Sequence, residues 1–434
     1  MKALIIIAEG MDPIVAEREM DKGNLPWFSG QRSKNHYRRL NCGPVPYEPS
    51  NLNTAFSGVN PGKHGCFSYW ATHCENERPR VLDANDVKAA RIWEWPELSD
   101  CRFNVVNVQL THPPRPINGN MISYLMHNTL NASYPRNLLF ELSKQGIRYA
   151  HDVSLFYQGE PFEEFASNAW RIADYQLQTA MELAKDTDVL IVNLTLADRL
   201  SHFLWYEMSQ VENAQGSAQE RRPHVLAAYD FIDSACQQLQ SLGAENTLVF
   251  SEMGFGELTH FVSINHYLQQ AGLQVLDAEG NIDLKKSVAM ETVQGSHGVM
   301  LLQDMLNEGR APQSQLNEVI QCLEEARFED GTPVLKNVRH RSEVYQGDYV
   351  HLAPSLIILP QDEKRPPLGD PRWATHVRRT SQSAWHRDKG FLVFDGLTPM
   401  TPSEEMAELQ QIAPTVAKVL GKEPAAQCEM DALI

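Results

Sequence analysis

The sequence predicts an α/β fold: a mostly parallel central sheet with helices on both faces. Three observations carry this expectation. Ala3 to Ile7, Asp188 to Asn193 and Thr247 to Phe250 are short apolar runs rich in aliphatic residues, the pattern of strands buried on both faces of a parallel sheet. Residues 161–185 (Phe165, Trp170, Ile172, Leu177, Met181, Leu183) and 223–242 (Val225, Leu226, Tyr229, Ile232, Leu239) show helical apolar spacing. Polar residues capable of chemistry follow the strands' carboxyl ends, where open α/β sheets place their ligands. At 434 residues the chain can bury a large core. We expect one domain over 1–434, with 66–160 and 304–350 as lid or peripheral insertions.

In chain order, the first strand runs into Glu9-Gly10, and Asp12-Pro13 then starts a helix with Asp12 as its N-cap. Tyr47 to Gly65 reads YEPSNLNTAFSGVNPGKHG: Pro49, a polar run, a buried helical turn at Ala55-Phe56, and a turn built by Gly58, Asn60, Pro61 and Gly62. Residues 66–104 are aromatic and irregular, covering the sheet edge or the site mouth. Phe103 to Val108 is a strand. Residues 111–125 hold prolines and Asn118-Gly119, which we read as a lid or wall without chemistry. Asp198 and His202 stand four residues apart after a strand, on one helical face and within reach of one ion. An isolated pair of this kind is more often a surface ion pair, and its position after a buried strand raises its weight. Glu252-Met253 follows the strand at 247–250; a thioether is a poor ligand for a hard or borderline cation, so Met253 is read as packing. Residues 295–303 and 355–359 are further strands. Residues 304–350 form a charged peripheral subdomain, mobile in character. The tail from Pro402 is helical, then polar.

The net charge of −17 argues against a nucleic-acid or anionic-membrane surface and leaves a small-molecule substrate as the expected partner. The cysteines at 42, 66, 74, 101, 236, 322 and 428 form no CxxC pair, which fits a reducing compartment without a thiolate zinc site. The apolar N-terminal run stops at Glu9, too short for a signal-peptide core. No run approaches the roughly 18 apolar residues a membrane span needs. The expected location is the cytoplasm; the oligomeric state is not legible.

Segments that run in order from residue 3 to about 396 resemble one family. SGVNPGKHG resembles the TG-x-NPGKHG segment of type I phosphodiesterases and nucleotide pyrophosphatases of the alkaline phosphatase superfamily. AEGMDP is similar to that family's LDGMDP, THPPRPINGNMISYL to its yPPxPxNGxMISG loop, LADRLSHFLW to tDrxxHxxW and SEMGFG to SDHGFG. FVSINHYLQQAGL is similar to the segment that follows, and TSQSAWHRDKGFLVFDG to sGxHrxdGxfia. The resemblance implies an alkaline-phosphatase-like fold with inserted lid segments and two divalent metal ions. It carries over Asp198, His202 and His386 as ligands of the first ion. At the second, Glu9 and Glu252 stand for two aspartates and Met253 for a histidine. The family's Thr or Ser nucleophile precedes the glycine by ten residues, and here that position is Glu48, with Ser50 and Thr54 as nearby hydroxyls. Glu48 is expected as an added ligand or as a general base. His260 and His297 are expected to be structural.

Three readings follow. The first is a metal-dependent hydrolase of a phosphodiester or related ester, using a divergent dinuclear site and a metal-activated water. The second is a di-iron or di-manganese carboxylate-type redox enzyme on the same scaffold, since four carboxylates and two histidines are that ligand set. The third is a catalytically inactive pseudo-phosphodiesterase that binds a ligand. The ions are expected to be Zn, Mn or Fe; a second position ligated by oxygen alone favours the harder ions, Mn, Mg or Fe.

Overall fold

The structure is a computed structural model. It describes residues 1–72, 80–125, 129–152, 159–213, 222–292, 295, 297–305, 311–367, 369, 377–378 and 381–434. Cys74, Ser296, Thr380 and residues 306–310, all within expectations above, lie outside these. The described chain forms two compact units, one of residues 1–59, 83–257 and 382–434, the other of 60–82 and 258–381.

The first unit is built on a nine-stranded sheet. Its first seven strands are β1 (Ala3–Ala8), β2 (Tyr37–Asn41), β3 (Phe103–Val108), β4 (Gly119–Ser123), β5 (Ser133–Tyr134), β6 (Val189–Leu194) and β7 (Asn246–Ser251). The order across the sheet is Ala407–Glu408, β2, Lys389–Asp395, β7, β1, β6, β3, β4, β5. From β7 to β4 the strands are parallel; Lys389–Asp395 and β5 add antiparallel pairings on either side. Along β1, Leu4, Ile6 and Ala8 pack into one core with the helices Phe162–Leu183, Leu196–Leu204 and His224–Gln240. Ala3, Ile5 and Ile7 pack into another with Glu48–Ser57 and Ile412–Val419. Both faces are therefore covered, which is why these strands are apolar without alternation.

Two local expectations are corrected. Residues 48–57 are a full helix rather than one turn at Ala55-Phe56. Pro49 lies in its first turn and Gly58 ends it in the left-handed region at φ 73°. Its buried polar side chains bond their own helix: Asn53 donates to the Pro49 carbonyl, Thr54 to that of Ser50 and Ser57 to that of Asn53. That local satisfaction lets a polar run sit inside a core. The second correction concerns 111–125, where Gly119–Ser123 is a strand of the central sheet rather than lid. Gly119 adopts φ 132°, and a Cβ there would lie 1.9 Å from the Phe103 carbonyl oxygen.

The second unit has a four-stranded antiparallel sheet ordered Ala289–Glu291, Gly298–Leu301, Leu356–Pro360, Leu335–His340. Ile264–Gln270 and Gln313–Glu325 pack on it through Leu268, Val319 and Leu323. The stretch 304–350 thus supplies a helix and a strand to a core. Among the described residues no helix is long and apolar enough to cross a membrane.

Candidate active site

The site is assembled at the carboxyl ends of β1, β6 and β7. Glu9 follows β1 and is fully buried. Gly10 turns the chain in the left-handed region, and a Cβ there would lie 2.7 Å from Phe255 and 2.9 Å from Asp198. Only glycine allows these chain segments to close so tightly. The Asp198 amide donates to the Glu9 carbonyl. Asp198 and His202 lie on the buried helix Leu196–Leu204 that follows β6. After β7 come Glu252 and Met253, then β8 (Gly254–Glu257), which pairs with Ala384–Arg387 and sets His386 opposite Phe255. Met253 is fully buried in the apolar core.

His386 lies 3.0 Å from the Pro46 carbonyl through Nδ1. A carbonyl only accepts, so Nδ1 carries the proton and Nε2 presents a lone pair. That Nε2 lies 3.3 Å from His202 Nε2 and 3.5 Å from Asp198 Oδ1, while His202 Nε2 lies 3.6 Å from Asp198 Oδ2. Trp385 stacks on the His386 ring at 4.6 Å. Two imidazole nitrogens and a carboxylate thus converge on one point.

Asp198 also belongs to a second group. Ligand atoms of Asp198, His202 and His386 lie within 4.8 Å of one another, as do those of Glu9, Glu48 and Asp198. Glu48 comes from the first turn of its helix. At 3.6 residues per turn Ser50 and Thr54 point roughly 200° and 240° away from it, and Thr54 Oγ1 is bonded to the Ser50 carbonyl. Glu252 stands outside both groups, although the charges of Glu9, Glu48 and Asp198 act on its carboxyl; its backbone carbonyl accepts from Asn51 at 2.8 Å.

The electrostatics follow from burial. Burial pushes Glu9 and Glu48 up to about 8, helped by Asp198 and opposed by Arg199. Burial, then Glu9, raises Glu252 well above the usual carboxylate range. Burial acts on Asp198 too, but Arg199, His202 and His386 outweigh it and hold that carboxyl below its ordinary range. Burial lowers His202 to about 3, with the Arg199 guanidinium helping and Asp198 opposing. Both carboxylate oxygens of Glu48 and of Glu252 are buried with no hydrogen-bond partner among the described residues. Unpartnered buried carboxylates are costly. A mixed nitrogen–oxygen triad sharing an aspartate with a carboxylate triad therefore fits divalent cations.

Four participants were not singled out from the sequence. Gln109 donates to Glu9 Oε2 at 2.7 Å, and Asn193 donates to the same oxygen and to Gln109 Oε1. Arg199 lies 3.2 Å from Glu9 Oε1, bonds Asp198, and is held by Asp152 through Nε at 2.9 Å. The available cues were Asn193 ending an apolar strand and Arg199 standing beside a candidate ligand.

The family model for type I phosphodiesterase / nucleotide pyrophosphatase matches residues 3–380. The chain belongs to this family. The match ends before His386, which the fold brings to the cluster through Ala384–Arg387. No curated protein matches the chain. Among solved structures, phosphonoacetate hydrolase from Sinorhizobium meliloti 1021, in complex with phosphonoacetate, is 13% identical with a TM-score of 0.64, covering 95% of this chain and 94% of that one. Human ectonucleotide pyrophosphatase / phosphodiesterase 5 is 12% identical with a TM-score of 0.57, covering 98% and 96%. The alkaline phosphatase PafA is 12% identical with a TM-score of 0.58, covering 100% and 98%. The fold is alkaline-phosphatase-like, and membership places the chain among phosphoester hydrolases. None of these relatives favours the redox or the inactive reading.

Proposed function

We propose that this protein is a metal-dependent hydrolase of a small phosphodiester or related phosphorus ester, acting in the cytoplasm. The observation that carries the reading is the buried convergence of Glu9, Glu48, Asp198, His202 and His386 at the sheet's carboxyl edge, with Glu48 carboxylate oxygens that no described residue satisfies. Asp198, His202 and His386 would hold one ion; Glu9, Glu48 and Asp198 would hold a second, with Glu252 beside it. Bound cations supply Lewis-acid polarisation of the ester and make water more acidic. The first set, two imidazoles and a carboxylate, suits Zn, Mn or Fe; the second, all oxygen, suits Mn or Mg.

The chain's own residues do the rest. Glu48 occupies the position of the family's hydroxyl nucleophile and is suited to be a general base. Water attacks phosphorus, its proton passes to Glu48, and the ester P–O bond breaks. The proton then goes to the leaving oxygen, giving an alcohol and a phosphomonoester. His386, fixed by Pro46 and Trp385, keeps its Nε2 aimed at the cluster. Two similar structures were solved with small phosphorus ligands, the S. meliloti enzyme with phosphonoacetate and murine phosphodiesterase 5 with AMP, which supports a small substrate.

The test is turnover of bis(p-nitrophenyl) phosphate and a nucleoside 5′-p-nitrophenyl phosphate by chelator-treated chain reloaded with Zn2+ or Mn2+. Turnover is expected only after reloading, and not in His386→Ala or Glu48→Ala. Turnover unaffected by chelation, or none with any diester, overturns the proposal.

A further inference from the structure

The Arg199 guanidinium is fully enclosed and every nitrogen of it is engaged. Nε donates to Asp152 at 2.9 Å, Nη2 to Asp152 and to the Tyr124 hydroxyl, and Nη1 to Asp198 Oδ2 while standing 3.2 Å from Glu9 Oε1. Glu9 and Asp198 are two of the three residues of the all-carboxylate group. A fixed positive charge therefore already sits on one edge of the second cation position. It touches only one residue, Asp198, of the position built with His202 and His386. Glu9, Glu48, Asp198, Glu252 and Asp152, all ionised, carry five negative charges, which Arg199 and two divalent ions together balance.

We infer that Arg199 is a built-in cation of the carboxylate group that sets the order of metal loading. It makes the ion held by Glu9, Glu48 and Asp198 the weaker and exchangeable one, and Asp152 tempers this by drawing the guanidinium outward. The inference rests on the metal-dependent reading above. Like charges repel strongly at this depth, and an arginine cannot relieve the conflict by losing its proton. Arg199 is a positioning residue; it works through Glu9 and Asp198.

The experiment is Mn2+ titration of the chelator-treated full chain, with free Mn2+ counted by electron paramagnetic resonance. Wild type is expected to show one tight and one weaker site, at least about 10-fold apart. Arg199→Met should narrow that gap at least about 10-fold by tightening the weaker site. Asp152→Asn should widen it, and Arg199→Lys should stay near wild type. Opposite shifts from the two ends of one ion pair are not what loss of packing produces. Two equal sites in wild type, or a folded Arg199→Met with an unchanged or wider gap, overturns the inference while leaving the hydrolase reading in place. If Arg199→Met does not fold, Asp152→Asn decides: selective weakening of the second site supports the inference, and no change or equal weakening of both sites overturns it. A wild-type chain that binds no Mn2+ overturns both.

Discussion

Glu48 is fully buried and neither of its carboxylate oxygens has a hydrogen-bond partner among the described residues. Burial holds it and Glu9 near 8, against an ordinary 4.5. The folded chain therefore holds these protons more tightly than the unfolded chain. The stability this contributes is complete below about 4.5 and is lost as pH rises through about 8. Calorimetry of the chelated protein from about pH 5 to 9 is expected to show a falling thermal midpoint. Glu48→Gln should flatten the slope, and added Mn2+ should reverse it, because a cation favours the ionised carboxylates. A midpoint that rises with pH would contradict this. The amide donors behind Glu9 belong to the same scale. Gln109→Leu and Asn193→Leu are each expected to weaken metal binding and turnover by about 10–100-fold, as loss of a group orienting a ligand does. Fluorescence titration of the ions checks this. The role of Glu48 has a stereochemical consequence. Direct water attack inverts a chiral phosphorothioate diester, whereas a covalent hydroxyl route through two displacements retains configuration. Phosphorus NMR of the product formed in 18O-water distinguishes them.

At the scale of elements, the site depends on how strand ends are turned. Gly10 and Gly119 both adopt positive φ against close neighbours. Gly119→Ala, whose Cβ would meet the Phe103 carbonyl, is expected to cost about 3 kcal/mol, read as a denaturation shift that leaves metal affinity intact. Gly10→Ala should disturb metal binding as well, since its Cβ meets Asp198. The same contrast shows what the sequence could carry. Apolar runs announced β1, β6 and β7, because strands covered on both faces need no alternation, so Glu9, Asp198 and Glu252 were legible as strand-end residues. The helix carrying Glu48 was legible only in part, since its polar residues are satisfied by the helix itself. β4 was hidden by the prolines that precede it. His386 was legible only by resemblance. Asn193 and Arg199 offered only weak cues, and Gln109 and Asp152 were not legible at all: Gln109 reaches Glu9 across 100 residues and Arg199 reaches Asp152 across 47, and periodicity reports only local structure.

At the scale of the whole molecule, every residue of the proposed cluster lies in the first unit, which is discontinuous in sequence. Glu9, Glu48, Asp198, Glu252 and His386 come from segments that only the completed sheet brings together, so the proposed metal site would report on the fold of that unit. Bound metal is accordingly expected to raise the unfolding temperature of the native chain. The central claim is that this cluster holds divalent cations. Elemental analysis of the full chain purified without chelator tests it most directly. The account predicts at least one zinc or manganese ion per chain, retained through gel filtration and lost in His386→Ala. A native chain without bound metal, or with two irons and oxygen consumption in place of diester turnover, would contradict it.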